Sequence, residues 1–165
     1  MTVISSTTNP EALSLTLVTE FDADVERVWQ IWEDPRQLER WWGPPGYPAT
    51  FEKHEFTPGG EAGYYMTTPE GEKPRGWWRF TRIERPNRLE LEDGFADENG
   101  EPVESIGSGQ VIVTLEDIGG RTRMTIQNNF ASEEQMTTML QMGMEEGMKE
   151  AAGQIDDLLA EHSRA

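Results

Sequence analysis

Residues 132–162 read SEEQMTTMLQMGMEEGMKEAAGQIDDLLAEH, and the reading of this stretch decides the fold. Met136, Leu140, Met144, Met148, Ala151, Ile155, Leu158 and Leu159 recur three or four residues apart, which draws one broad apolar stripe along a long helix. Ser132 with Gln135 three residues on forms a capping-box pair, and Glu133 and Glu134 sit where the positive end of the helix dipole favours acid. Glu145 and Lys149 add a supporting pair one turn apart on the polar side. Gly143 and Gly147 lie one turn apart on the stripe itself, each costing about 1 kcal/mol relative to alanine inside a helix. Residues that small on an apolar face point either to tight packing against a strand or ring, or to one wall of a ligand cavity.

A helix of this length needs a surface to cover, and the preceding chain supplies one. Leu15, Leu17, Thr19 and Phe21 alternate with Ser14, Thr16, Val18 and Glu20, the period of two expected of a strand with one buried face. Asp22 or Asp24 then caps a short helix carrying Val25, Val28, Trp29 and Trp32. Pro35 stops that helix and opens a second, whose Leu38, Trp41 and Trp42 precede the breaker Gly43-Pro44-Pro45-Gly46. From Phe51 to Phe130, Pro58-Gly59-Gly60, Pro69-Glu70-Gly71, Pro86-Asn87, Asn99-Gly100 and Gly119-Gly120 separate six further strands, over approximately residues 50–56, 62–68, 76–84, 89–95, 110–117 and 122–130. Val111, Val113 and Leu115 share one face, as do Met124, Ile126 and Phe130. The expected domain is α+β: a seven-stranded antiparallel sheet, two short helices after strand one, and the long C-terminal helix laid over the apolar face. Residues 1–12 lack periodicity and read as a flexible N-terminal arm, residues 13–162 as a single domain.

Composition narrows the function classes. Fourteen basic against thirty-one acidic residues leave a net charge of −17, which repels nucleic acid and anionic membrane surfaces at long range, so neither is an expected partner. The chain has no cysteine, which excludes disulfides, thiol nucleophiles and thiolate metal sites. The leading residues have neither a basic n-region nor an apolar h-region, and no run approaches the roughly 18 apolar residues of a membrane span. A soluble, cytoplasmic protein is expected.

Phe21-Asp22-Ala23, Val28-Trp29, Asp34-Pro35, Leu38, Trp41-Trp42-Gly43-Pro44, Pro58-Gly59-Gly60, Pro69-Glu70-Gly71 and the segment from Gly143 to Met148 follow one another in a single order over residues 14–160. This pattern resembles the SRPBCC, or START-like, superfamily, and within it the branch named for homology to the C-terminal domain of the activator of the heat-shock-protein-90 ATPase. The resemblance implies a helix-grip fold: a curved antiparallel sheet wrapped around a long C-terminal helix, with a cavity between. Two departures stand out. Relatives often carry proline where this chain has Asp24, and often tryptophan after the glycines of the last helix, where it has Met144 and Met148. Methionine is flexible and polarizable, so such a wall adapts to its ligand more readily than tryptophan would.

The catalytic inventory is thin. Of two histidines, His162 falls in the tail and His54 in a strand between Lys53 and Glu55; no metal site, cofactor site or catalytic triad can be assembled. Gly107-Ser108-Gly109 lacks the lysine of a phosphate loop and precedes a strand. Glu55 near Glu61 is what so many carboxylates produce by chance, and Arg79 and Arg82 are either partners for an anionic head group or surface pairs. Aromatic residues are the strongest signal, and strand alternation directs one of Tyr64 and Tyr65, and one of Trp77 and Trp78, inward. The expected lining from helices one and two and the sheet is Trp32, Trp42, Tyr65, Trp78, Phe80 and Phe95. The last helix adds Leu140, Gly143, Met144 and Gly147. The expectation is therefore a binder of a small apolar or aromatic molecule, without catalytic residues, cofactor or metal, and compatible with a homodimer. The resemblance also implies two alternatives: a cyclase or aromatase using the same cavity, its discriminating mark a buried titratable group such as Glu55, Arg79 or His54, and a chaperone-regulating interaction module. The latter is disfavoured because the named activator docks through two domains and this chain has the length of one.

Overall fold

The computed structural model describes residues 3–105 and 107–162, with the backbone alone described for residues 3, 4, 161 and 162. Met1 and Thr2 of the expected arm, and the side chain of His162, lie outside the described residues.

Eight strands form one open antiparallel sheet: β1 (Val3–Asn9), β2 (Ser14–Phe21), β3 (Ala49–His54), β4 (Glu61–Met66), β5 (Arg75–Glu84), β6 (Arg88–Ala96), β7 (Ser108–Asp117) and β8 (Thr122–Asn129), in the order β1-β2-β8-β7-β6-β5-β4-β3. Between β2 and β3 the chain crosses to the far edge through α1 (Val25–Glu33) and α2 (Pro35–Trp41). Asp24 caps α1 by accepting from the Arg27 N–H at 2.8 Å, and Asp34 caps α2 at Arg36 with Pro35 in the first turn. Bulges between Phe51 and Lys53 and between Phe80 and Arg82 bend the β3–β6 half of the sheet.

Among the described residues the strand count exceeds the expected seven by one. Residues 3–9, expected to be a loose arm, pair with β2, and Ser6 donates to Glu145 Oε2 at 2.5 Å. Most of the β1 side chains described are exposed, so the strand carries no apolar alternation and its order comes from backbone pairing.

The C-terminal stripe is also not one helix. It is divided into α3 (Glu133–Gln141), α4 (Met144–Ala152) and α5 (Ile155–His162). Gly143 stands at φ +87°, a left-handed joint that only glycine adopts without cost, and Gly153-Gln154 makes the second break. At that break Gln154 Nε2 donates to the carbonyls of Trp41 at 3.3 Å and Gly43 at 2.7 Å, fastening the α4–α5 joint to the end of α2. Ser132 caps α3 as expected, accepting from the Gln135 N–H at 3.0 Å, while Gln135 Oε1 accepts from the Ala131 N–H.

One face of the sheet and the helices above it make the core. Leu17, Phe21, Phe51, Trp78, Phe80, Leu89, Leu91, Val111, Val113, Met124 and Ile126 meet Val28, Trp29, Ile31, Trp32, Leu38 and Trp41 of the short helices and Ile155, Leu158 and Leu159 of α5. This is the helix-grip arrangement, with α5, α1 and α2 sealing one half of the sheet. The other half is covered differently: α3 buries only Met136 and α4 only Ala151 and Ala152. That unequal cover is what leaves room for a site.

Candidate functional site

Beneath the α3–α4 joint lies a cavity of about 300 Å³. Its floor is the concave continuation of the core face: Tyr64 and Met66 on β4, Asp93 and Phe95 on β6, Ile126 and Asn128 on β8. Trp41, Trp42 and Pro44 close one end, and Met139, Met142, Gly143, Met144, Gly147, Met148 and Ala151 make the roof. An extension of about 100 Å³ shares Tyr64, Asp93, Phe95, Asn128, Met139 and Met144 and runs on toward Gly107, Gln110 and Gln135. The Trp41-Trp42-Gly43-Pro44 turn is fixed by a close backbone approach, since a Cβ on Gly43 would stand 1.9 Å from the Tyr47 carbonyl oxygen. Trp41 is buried with its N–H on the Ile31 carbonyl at 3.1 Å, which leaves half-buried Trp42 as the wall.

Of the expected lining, Trp42, Phe95, Gly143, Met144 and Gly147 are brought together here. Trp32 and Trp78 are not at the surface of the cavity: each is 1 % exposed, and they form the layer behind Trp42, with ring centroids 6.0 and 4.9 Å from it. Phe80 lies deeper still, against Phe56 and His54. Tyr65 is on the opposite face, under Lys73 Nζ and the Arg75 guanidinium, because β4 directs Ala62, Tyr64 and Met66 inward. Leu140 does not line the cavity, whereas its neighbour Met139 does. Gly147 is small in a helix with ordinary room, its absent Cβ 3.8 Å from Pro44 Cγ, but Gly143 is required by its backbone angle and nothing lies within 4 Å of the position its Cβ would take.

The polar groups of the cavity include an acid outside the expected lining. Asp93 follows Leu89 and Leu91 on the inward side of β6, and burial pushes its carboxyl up to about 6. Tyr64 is pushed up to about 12, chiefly by burial, with Asp93 adding to the rise. Its ring lies over Gly76, whose missing Cβ would meet Tyr64 Cζ at 2.4 Å, and stacks on Phe51 at 4.9 Å. The indole N–H groups of Trp42 and Trp78 are buried and among the described residues have no well-aligned acceptor, yet both approach the Tyr64 hydroxyl closely enough to oppose that rise. None of the charged candidates is here. Glu55 and Arg79 are exposed, and Arg82 pairs with Glu84 and Glu90 on the outer surface. His54 donates from Nε2 to the Glu33 carbonyl at 3.1 Å, and burial lowers its pKa, so it acts as a strut between β3 and α1. Among the described residues no three histidine, aspartate or glutamate side chains converge as a metal site requires, and no helix is long and apolar enough to cross a membrane.

Residues 22–160 match the family described as Activator of Hsp90 ATPase homolog 1-like protein. The chain belongs to this family. A solution structure of a protein from Arthrobacter aurescens is 64% identical over 97% of this chain and 93% of its own, with a TM-score of 0.93. A crystal structure of a Mycobacterium smegmatis protein is 42% identical over 95% and 96% of the two chains, with a TM-score of 0.89. A family member from Silicibacter pomeroyi, 21% identical over 90% of this chain and 99% of its own, shares the fold at a TM-score of 0.74. No curated protein matches significantly. The family fold thus carries, in this chain, a methionine-roofed cavity with one acid on its floor.

Proposed function

We propose that the protein binds a small hydrophobic or aromatic molecule in the cavity between the sheet and the C-terminal helices. The observation that supports this reading is the cavity itself: aromatic and methionine walls at a place where the fold could have closed on a packed core, with polar groups confined to the floor. Its volume lies at the lower end of the roughly 300–1,000 Å³ usual for ligand pockets. The four roof methionines supply a surface that reshapes around its guest. The neutral fluorophore N-phenyl-1-naphthylamine is expected to bind at micromolar concentrations with enhanced emission; no saturable binding would remove the proposal. Stimulation of the chaperone ATPase by the chain, abolished by Trp41→Ala and unaccompanied by probe binding, would put the interaction role named by the family in its place.

Gly147 gives the sharper test. In a helix interior with ordinary space around its Cβ, Gly147→Ala is expected to stabilise the fold by about 1 kcal/mol and leave the cavity open. Gly147→Leu directs a larger side chain into the cavity and is expected to weaken probe binding by roughly tenfold or more. Equal affinity of the two variants would show that the probe sits elsewhere. Gly143→Ala behaves oppositely on stability: at φ +87° it is expected to lower it by about 1 kcal/mol, read from the urea midpoint.

One observation favours a second reading. A carboxyl held near 6 in a partly desolvated cavity is poised for general acid or base work, as a cyclase acting by confinement would need. Turnover of an added polyketide-like chain, lost in Asp93→Asn, would establish it; binding without turnover would leave the protein a binder.

A further inference from the structure

Asp93 is placed with unusual economy. It pairs across β5 with Trp78 and across β7 with Gly109, and a Cβ on Gly109 would stand 3.3 Å from Asp93 Oδ1, so the carboxyl occupies space a larger residue there would fill. Among the described residues no other side chain hydrogen-bonds or ion-pairs with it. The groups that face it are Tyr64 from β4, Asn128 from β8, Gln135 and Met139 from α3, and Met144 from α4. Tyr64 is the single titratable group among these, and no lysine, arginine or histidine lines the cavity or its extension among the described residues.

We propose that the ligand is a lipophilic cation, an aromatic or alkyl amine or a quaternary ammonium, whose positive nitrogen is held by the Asp93 carboxylate and the aromatic rings of Trp42, Tyr64 and Phe95. This rests on the cavity reading above and names the chemistry of its guest. A carboxylate withdrawn from water without a counter-charge is unfavourable, and the protein provides no counter-charge of its own. A cationic guest supplies one. The aromatic walls add attraction to the same charge through their ring quadrupoles, and the polarizable methionine roof accommodates the apolar remainder. The net charge of −17 concentrates cations at the surface and repels anions, so approach and docking favour the same sign. A neutral guest would leave the carboxylate uncompensated, and an anion would be opposed at every stage.

The test compares benzyltrimethylammonium with its neutral carbon isostere neopentylbenzene, each displacing N-phenyl-1-naphthylamine. At pH 7.5 the cation is expected to bind about tenfold or more tightly than the isostere. Because the Asp93 carboxyl takes up its proton near 6, proton and cation compete below that point. The cation's affinity is then expected to be level above about pH 7 and to fall by about tenfold per pH unit below 6, while the isostere's does not fall. In Asp93→Asn the cation's advantage is expected to shrink severalfold and its dependence on pH to vanish, leaving only the attraction of the rings. An isostere that displaces the naphthylamine as well as the cation at pH 7.5 would overturn the proposal and leave the cavity reading standing. A cation preference undiminished in Asp93→Asn, with its pH dependence intact, would overturn the assignment to Asp93. Failure of the naphthylamine itself to bind would sink the cavity reading and this proposal with it.

Discussion

Gly43→Ala is expected to destabilise the protein by about 3–4 kcal/mol, at the upper end of what single substitutions do. The cause is local and steric. The position of the new Cβ is 1.9 Å from the Tyr47 carbonyl oxygen and 3.0 Å from the Ala49 nitrogen, backbone atoms that cannot rotate aside. The turn returns over Gly43 because the Tyr47 N–H donates to the Pro44 carbonyl at 2.8 Å, and β3 begins two residues later, so displacing it disturbs the edge of the sheet. It also carries away the Gly43 carbonyl that Gln154 holds and shifts Pro44 at the mouth of the cavity. Gly46→Ala is the control: its φ is +87° but nothing lies within 4 Å, so strain alone should cost about 1 kcal/mol. Urea unfolding of both variants decides the matter, and equal losses would mean that the backbone at Gly43 is looser than a 1.9 Å approach allows.

Asp93→Asn is expected to raise stability at pH 7.5 by about 2 kcal/mol, or roughly 5 °C in melting temperature, and to change it little at pH 4. The sign follows from the direction of the shift. The folded carboxyl is raised from its ordinary range to about 6, so between those values the native state holds a proton that the unfolded chain has released. The stability this contributes is present at low pH and is lost as pH rises through 6. Above that point the native state carries a poorly solvated carboxylate, and the isosteric amide removes it. The figure allows for the partial exposure of Asp93, which softens the penalty of burial. Thermal unfolding of both proteins at the two pH values is the measurement. A gain that is the same at pH 4 and pH 7.5 would show that ionisation is not its source.

Most of the sheet is legible from residue alternation because seven of its strands have one buried face. β2 and β4 through β8 fall within a few residues of their expected limits, and β3 ends at His54 where the chain turns toward Pro58-Gly59-Gly60. β1 is invisible to the same argument because its described side chains are mostly exposed. The stripe from Met136 to Leu159 places an apolar helical face over the sheet, yet periodicity does not reveal the joint at Gly143. A glycine required for smallness and one required for a left-handed angle are the same letter, and only the backbone φ separates them. The site was half legible for related reasons. Trp42 and Phe95 follow from aromatic clustering, but clustering does not distinguish a cavity wall from the layer behind it, where Trp32 and Trp78 lie. Tyr64 and Tyr65 are separated by their neighbours, since Ala62 and Met66 keep the apolar phase that Tyr64 shares. Asp93 was readable too: an acid in phase with Leu89, Leu91 and Phe95 breaks an inward apolar series, which in a chain this acidic is easily taken for surface.

The left-handed joint at Gly143 also sets a hierarchy of opening. α3 buries a single side chain, Met136, and is joined to α4 through a glycine rather than through continuous helix. The strands beneath it and α5 carry the dense packing. The free energy needed to lift nine residues of α3 is therefore far smaller than that of global unfolding, and the two are decoupled. Native-state amide exchange should register α3 as a separate unit, opening ahead of β6, β7 and β8, and a guest that closes over the Asp93 floor should slow exchange there first. Substitutions at Gly143 or Met142 are then expected to change how readily α3 lifts from the cavity without disturbing the core that holds the sheet.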